Sequence, residues 1–251
     1  MDRLKGKVAI VTGSTSGIGI GIARLFAAEG AKVVICGRRQ EKGQAVVDSI
    51  VKEGGEAYYH FMDITAVESI DALLKDTEEK YGKIDILVNN AGGGEAGPVN
   101  ELDEGAWLRS LDLDLNGVFY CTKYFSQVML EQGYGRIINV ASILGKGGLP
   151  ELPISPYCTA KGGVINFTKQ VAAEFALKGV NCNAICPGFF ASEANTPEAM
   201  DAMNGFITAR TPMQRPGRPG ELDSTVVFLA AHESSYVTGA IVSCDGGWTA
   251  V

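Results

Sequence analysis

Short apolar runs alternate along the chain with longer stretches in which apolar side chains recur three and four residues apart. Val8 to Val11, set between Lys7 and Thr12, is almost purely apolar and predicts a strand buried on both faces. From Gly17 onward Ile18, Ile22, Leu25 and Phe26 mark one buried helical face. The pairing then repeats. A run from Lys32 to Cys36 precedes a helical stretch to Lys52 carrying Ala45, Val46 and Ile50, and Glu56 to Met62 precedes a helix over Val67 to Tyr81. A fourth strand is predicted over Ile84 to Val88, and beyond Leu102 one long helical pattern carries Trp107, Leu111, Leu115, Val118, Phe119 and Met129. A fifth strand, Gly135 to Val140, is followed by a helix from Tyr157 to Leu177, and a sixth strand by the run Val180 to Cys186. Residues 193–216 predict a helical cover, mobile or static, with Met200, Met203, Phe206 and Ile207 on its apolar side. A helix over Glu221 to Ala231 and a strand over Ala240 to Cys244 close the pattern. Strands alternating with helices over most of the chain predict an α/β fold with a parallel sheet covered on both faces.

Composition narrows the class without changing this picture. The chain has 251 residues, 46% hydrophobic and 20% charged, with no linker-like segment, which predicts one domain over residues 1–251 with ample core. A net charge of −7 argues against a nucleic-acid or anionic-membrane partner. The opening MDRLKGK has no apolar signal segment, and no run of about 18 apolar residues occurs, so a cytoplasmic protein is expected. Six cysteines, Cys36, Cys121, Cys158, Cys182, Cys186 and Cys244, are spread through predicted elements and read as buried reduced thiols. Cys182 and Cys186 sit in a strand with no matching pair after them, so no metal is expected. His60 and His232 are the only histidines, and both fall in structural contexts. Acid–base chemistry must then come from another residue type.

Between the first strand and its helix lies the turn Gly13-Ser14-Thr15-Ser16-Gly17-Ile18-Gly19. Glycines there permit a sharp turn, close approach of backbone to a pyrophosphate, and tight helix-on-strand packing. The unpaired N–H groups and positive dipole end of the helix face the same loop. Gly13 and Gly17 stand four apart and Gly19 two further on, a GxxxGxG spacing after Thr12 that resembles the short-chain dehydrogenase/reductase family. At the end of the second strand a 2′-hydroxyl would need an acidic residue, but Gly37 stands there, followed by Arg38 and Arg39. This favours NADP over NAD, a solvated basic turn being the plain alternative. After the third strand, Asp63 and Ile64 are candidates for an adenine contact implied by the resemblance; the residues alone would make Asp63 a helix cap.

The resemblance extends from Lys7 to Trp248. Asn89-Asn90-Ala91-Gly92 after the fourth strand is similar to a family motif, with Asn90, Ala91 and Gly92 passing close to the cofactor and the Asn90 amide tying neighbouring strands. Ser142 follows the fifth strand, and Tyr157 comes fifteen residues later with Lys161 one helical turn beyond it, on the same face. Tyrosine ionises near a pKa of about 10, so it needs a neighbouring cation to act as acid and base at neutral pH. Lys161 can supply that charge, Ser142 can hydrogen-bond the substrate oxygen, and Tyr157 can pass the proton while a nicotinamide cofactor carries hydride. In Asp114-Leu115-Asn116-Gly117-Val118-Phe119 the family usually has asparagine where Asp114 stands, helping to hold a catalytic water. Asp114 is expected to present the same backbone carbonyl, since Asn116 falls on another helix face. Pro187, Gly188, Phe190 and Ser192 are the nicotinamide-side candidates, Ser192 standing where the family commonly has threonine.

The resemblance thus implies a Rossmann fold with a doubly wound parallel sheet of about seven strands. It implies an NADP-dependent alcohol dehydrogenase or carbonyl reductase acting on a small-molecule carbonyl or alcohol, assembled as a homotetramer or homodimer. Three strings look most like the gluconate 5-dehydrogenase and 2-deoxy-gluconate 3-dehydrogenase group: Asp112 to Asn116, Pro187 to Ser192, and Asp245-Gly246-Gly247-Trp248. A sugar acid needs a cation, for which Arg210, Lys146 and Arg215 are available. The apolar side of the cover suits a hydroxysteroid or other bulky ketone equally. A 3-oxoacyl-carrier reductase is disfavoured by the net charge and by Gly133 and Ala173, where docking arginines are usual. Outside enzymes, an NADP-sensing scaffold would not need Ser142, Tyr157 and Lys161 together. Gly145, Gly147 and Gly148 with Lys146 read as a substrate-side loop, and Glu198 to Asp201 as a solvated face of the cover.

Overall fold

The computed structural model describes residues 2–190 and 197–251, except for the side chains at 197, 199 and 200. Ser192, residues 193–196 of the predicted cover and the Met200 side chain lie outside the described residues. Seven strands, β1 (Val8–Thr12), β2 (Lys32–Gly37), β3 (Glu56–Phe61), β4 (Ile86–Asn89), β5 (Gly135–Val140), β6 (Val180–Pro187) and β7 (Ile241–Cys244), pair in the order β3-β2-β1-β4-β5-β6-β7. Every pairing is parallel. Strand ends differ from the apolar runs by one or two residues.

Continuous apolar runs follow from cover on both faces, and every residue of β1, β4, β5 and β6 is buried. Alternate side chains divide between two layers. Val11, Val33, Ile86 and Ile185 meet α1 (Gly17–Ala28), α2 (Gln40–Lys52) and α8 (Asp223–Ala230) through Ile22, Phe26, Val46 and Val226. Ile10, Val34, Leu87 and Ile137 face α3 (Val67–Tyr81), α5 (Gly117–Glu131) and α6 (Ser155–Phe175) through Leu73, Phe125, Met129 and Val171. A fully buried Phe125 alone contributes about 2–3 kcal/mol of transfer free energy. Edge strand β3 is only half-buried, and His60 there sets its Nδ1 2.6 Å from the Phe61 carbonyl oxygen. His232 is exposed in a 3₁₀ turn after α8. All six thiols are free; Cys158 and Cys244 are half-buried and the other four buried.

The long helix expected after Leu102 is interrupted. α4 (Glu104–Leu111) runs into a π turn over Asp112–Asn116 before α5 begins at Gly117. Gly117 has no room for a Cβ, which would stand 2.6 Å from Ile64 Cδ1, so α5 starts tight against the segment after β3. A π turn widens the helix by one residue and changes which side chains face inward, a change that apolar spacing does not announce. α7 (Pro197–Arg210) supplies the described part of the cover and buries Ile207.

The chain leaves β3 at one edge and returns to build β4 beside β1, so the winding reverses between β1 and β4. In such sheets a crevice opens there, at the carboxyl ends of the strands.

Candidate active site

Gly13 adopts φ +66°, and a Cβ on it would lie 2.8 Å from Ala91 Cα, so both conformation and crowding require glycine. A Cβ on Gly19 would lie 2.5 Å from Asn90 Nδ2, making Gly19 a packing position against the end of β4. Asn90 in turn donates through Nδ2 to Thr12 O at 2.8 Å, while Thr12 Oγ1 accepts from the N–H groups of Asn90 and Ala91 at 2.9 Å. The β1 and β4 exits are thereby locked together. No side chain caps the start of α1 and no acidic residue occupies its first turn, so its N-terminal dipole end faces the crevice uncompensated. Ser14 does not line the crevice: it is fully buried, and its Oγ accepts from Cys36 N–H at 3.0 Å, pinning the turn to β2.

The crevice has a volume of about 660 Å³, and Thr15, Ser16, Gly17 and Ile18 line it beside Gly13. Arg38, Arg39, Asp63 and Ile64 line its β2–β3 end. Arg38 is exposed, and Arg39 Nη2 lies 3.5 Å from Thr15 O. Asp63 does not cap α3, whose capping residue is Ala66; its Oδ1 accepts from Thr65 N–H at 3.0 Å and Thr65 Oγ1–H at 2.7 Å. Partial burial pushes the Asp63 carboxyl up, but those two bonds and the Arg38 charge outweigh it and leave it below its ordinary value. Glycines keep the floor bare. A Cβ on Gly37 would stand 3.0 Å from Thr15 Cγ2, and one on Gly94 3.1 Å from Tyr157 Cβ. A side-chain-free floor, a bare helix N-terminus and a basic end fit a phosphorylated dinucleotide.

At the other end of the crevice lie Asn90, Ala91, Gly92, Ser142, Tyr157, Lys161, Pro187, Gly188 and Phe190. Tyr157 and Lys161 come from the first two turns of α6, where Pro156 presets the helical φ. Lys161 is 3% exposed, with Nζ 5.5 Å from the Tyr157 ring centroid and donating to Val140 O at 3.1 Å. Ser142 caps a 3₁₀ turn over Ile143–Gly145: its Oγ accepts from Leu144 N–H at 3.1 Å, leaving its own O–H as a donor toward the crevice. Gly145, read from sequence as part of a substrate-side loop, instead packs that turn on α6; a Cβ there would stand 2.6 Å from the Lys161 carbonyl carbon.

The π turn buries Asp114 completely, and its carboxylate meets Lys161: Oδ1 lies 3.2 Å from Nζ and accepts from Gly93 N–H at 3.1 Å. Asn116 faces outward and donates to Asp112 Oδ1 at 2.7 Å. Burial raises the Asp114 carboxyl, opposed by the Lys161 charge and the Gly93 hydrogen bond. Asp114 therefore sits behind the crevice wall.

The surface beyond Tyr157 is apolar. Phe189, Phe206 and Trp248 stack with ring centroids 5.3–6.0 Å apart, next to Leu144, Leu152 and Ile154. Sequence reading missed Phe189, Leu152 and Ile154 as wall residues; their only signal was proximity to Ser142 and Pro187 in the chain. All three cations considered for a substrate carboxylate have partners. Arg210 pairs with Glu151 at 2.8 Å, Lys146 donates to Ser243 Oγ at 2.6 Å, and Arg215 forks onto Glu221 at 2.7 and 2.8 Å.

Proteins that bring a dinucleotide crevice and a buried lysine beneath a tyrosine to one sheet end are NAD(P)-dependent alcohol dehydrogenases and carbonyl reductases, and this chain is of that class. Within it the chain belongs to the short-chain dehydrogenase/reductase family. A family model described as Enoyl-(Acyl carrier protein) reductase matches residues 13–249. The chain is 40% identical to a 3-oxoacyl-[acyl-carrier-protein] reductase of Synechocystis sp., over 98% of either chain. It is 35% identical to a 3beta-hydroxysteroid dehydrogenase of Mediterraneibacter gnavus, over 99% of this chain and 97% of the relative. A gluconate 5-dehydrogenase from Burkholderia cenocepacia, solved with NADP and tartrate, superposes with a TM-score of 0.93 at 34% identity, over 100% of this chain and 98% of that one. No described helix is long and apolar enough to cross a membrane.

Proposed function

We propose that this enzyme interconverts a ketone and a secondary alcohol with NADP(H), and that its preferred carbonyl sits on a bulky, ring-bearing apolar substrate. The observation that carries the reaction is the near-fully buried Lys161 ammonium beneath Tyr157, with the Ser142 hydroxyl on the same crevice. When bound, the nicotinamide cofactor supplies or takes up the hydride. Its pyrophosphate would rest on Gly13 to Ile18, its 2′-phosphate on Arg38 and Arg39, its adenine near Asp63 and Ile64, and its nicotinamide end near Pro187 to Phe190. In reduction Ser142 O–H donates to the substrate carbonyl oxygen and orients it. Tyr157 gives its proton to that oxygen as the carbon becomes tetrahedral, and Lys161 stabilises the phenolate left behind. In oxidation the Tyr157 phenolate takes the alcohol proton.

The apolar substrate is supported by Phe189, Leu152 and Ile154 on the crevice, with Phe206 and Trp248 packed on Phe189, and by the prior engagement of Arg210 and Arg215 with carboxylates. A sugar acid is the second reading, favoured by likeness to the gluconate 5-dehydrogenase; it would require Arg210 to exchange Glu151 for the substrate carboxylate. Free thiols and family membership support a cytoplasmic homotetramer or homodimer.

NADPH and NADH oxidation should be followed with oxo-steroids, 5-keto-gluconate and an acetoacetyl thioester. Turnover of the ring ketones with NADPH is expected. Tyr157→Phe should cost about 100-fold or more in kcat while NADPH affinity stays within a few-fold. Undiminished turnover by that variant would refute the assignment, and NADPH binding without turnover of any ketone would favour a sensing scaffold.

A further inference from the structure

An ion pair stands at the rim of the apolar end of the crevice. Glu151 belongs to the turn Leu149-Pro150-Glu151-Leu152, closed by a hydrogen bond from Leu152 N–H to Leu149 O at 3.2 Å, and Pro150 favours that turn at its second position. Leu149 and Leu152 enter the apolar cluster that also holds Tyr157 and Phe189, which leaves Glu151 on the outer side. There its Oε1 lies 2.8 Å from Arg210 Nη2. Arg210 is held from its own side as well. It ends α7, where the negative end of the helix dipole favours a cation, and its Cζ lies 6.0 Å from the centre of the Trp248 ring. Trp248 packs on Phe189, which lines the crevice. Met203, on the same face of α7 as Arg210, lines it too.

The pair does little for the fold. Its side chains are 42% and 38% exposed, and ion pairs that water reaches this well are weak contributors to stability. Its effect falls on what may enter. An unoccupied Arg210 would offer a planar fork of N–H donors to a carboxylate on an incoming compound. Glu151, tethered by its turn, meets that fork at an effective concentration on the order of millimolar, above that of a dilute dissolved acid. We propose that Glu151 is a specificity-determining residue that acts through Arg210: it occupies the guanidinium and so disfavours ring ketones whose far end carries a carboxylate, while uncharged compounds of the same shape are accepted. This rests on the ring-ketone reading above and deepens it. The sign is set by charge. Neutralising Glu151 frees the Arg210 fork and removes a repelling anion, and both changes favour the acid. Neither acts on an uncharged compound.

The test uses an oxo-steroid bearing a carboxylate side chain and the methyl ester of the same compound, which differ only at the end remote from the ketone. Both are reduced with NADPH by the parent, by Glu151→Gln and by Glu151→Gln/Arg210→Gln, and kcat and KM are measured separately. The ratio of kcat/KM for acid over ester should rise about five- to tenfold in Glu151→Gln, through KM rather than kcat, and fall back to the parent's value or below in the double variant. A merely structural role for Glu151 would move acid and ester together. An unchanged ratio in Glu151→Gln, a change carried by kcat, or a gain that survives the loss of Arg210 overturns the proposal. If the parent turns over neither compound, the ring-ketone reading fails by itself. Calorimetric affinities of acid and ester for the NADP-saturated protein then decide the role of Glu151, with the same shift in their ratio expected.

Discussion

Replacing Lys161 by methionine keeps the length of the side chain and removes its charge, which makes the cost of the buried Asp114 carboxylate measurable. The pair is closed, with Lys161 3% exposed and Asp114 fully buried, so solvent does not screen it. Removing one partner of a buried pair costs about 3–5 kcal/mol, because the remaining charge is left without compensation. Loss of the hydrogen bond to Val140 O adds about 1 kcal/mol that does not depend on pH. The charge part does depend on it. Burial already raises the Asp114 carboxyl in the folded protein, and without Lys161 only the Gly93 hydrogen bond opposes that rise. A carboxyl raised above its unfolded value binds its proton more tightly when folded. Its contribution is therefore complete below the unfolded pKa, near 3.9, and is lost as pH climbs through the folded value. Lys161→Met should be less stable than the parent by about 4–6 kcal/mol near pH 8 and by about half of that near pH 5, measured by urea unfolding with unchanged m-values. The double variant Lys161→Met/Asp114→Asn should regain most of the loss near pH 8. A deficit equal at both pH values, or a double variant no more stable than the single one, would refute the coupling.

Other outcomes follow from the crevice. Arg38→Asp should lower the preference for NADP over NAD at least tenfold, about 1.4 kcal/mol, measured as the ratio of the two KM values; an unchanged ratio removes Arg38 from cofactor selection. Gly19→Ala should displace the Asn90 amide, which a new Cβ would approach to 2.5 Å, and so open the β1–β4 junction. Calorimetry should show a lower Tm, with about 1–3 kcal/mol lost to overpacking, and isothermal titration weaker NADPH binding.

Much of the fold was legible because its signals are local. Apolar runs such as Val8 to Val11 report strands covered on both faces, and a Gly13 that must turn with φ +66° is visible as a glycine wherever the chain folds. Tyr157 and Lys161 stand four apart on a helix, so a shared face followed from the helical period alone. The helix cap that the residues alone suggested for Asp63, beside the adenine contact implied by the resemblance, is not formed. Which backbone N–H groups a carboxylate reaches depends on the turn that follows, and here Thr65 claims it before the helix begins.

The resemblance added Ser142; spacing by itself determined an α/β chain with a parallel sheet, a glycine turn between strand and helix, and Tyr157 and Lys161 on one helix face. These follow from periodicity and from the conformational needs of single residues. Only the tertiary structure decided the rest. It engaged Arg210 with Glu151, Lys146 with Ser243 and Arg215 with Glu221, and it packed Phe189 and Phe206 against Trp248 from the far end of the chain. It also inserted the π turn that brings the Asp114 carboxylate to Lys161. The physical reason is shared. Hydrogen-bond partners and helix register in a crowded core are set by whichever atoms arrive from elsewhere in the chain, and the spacing of neighbours along one segment carries no record of them.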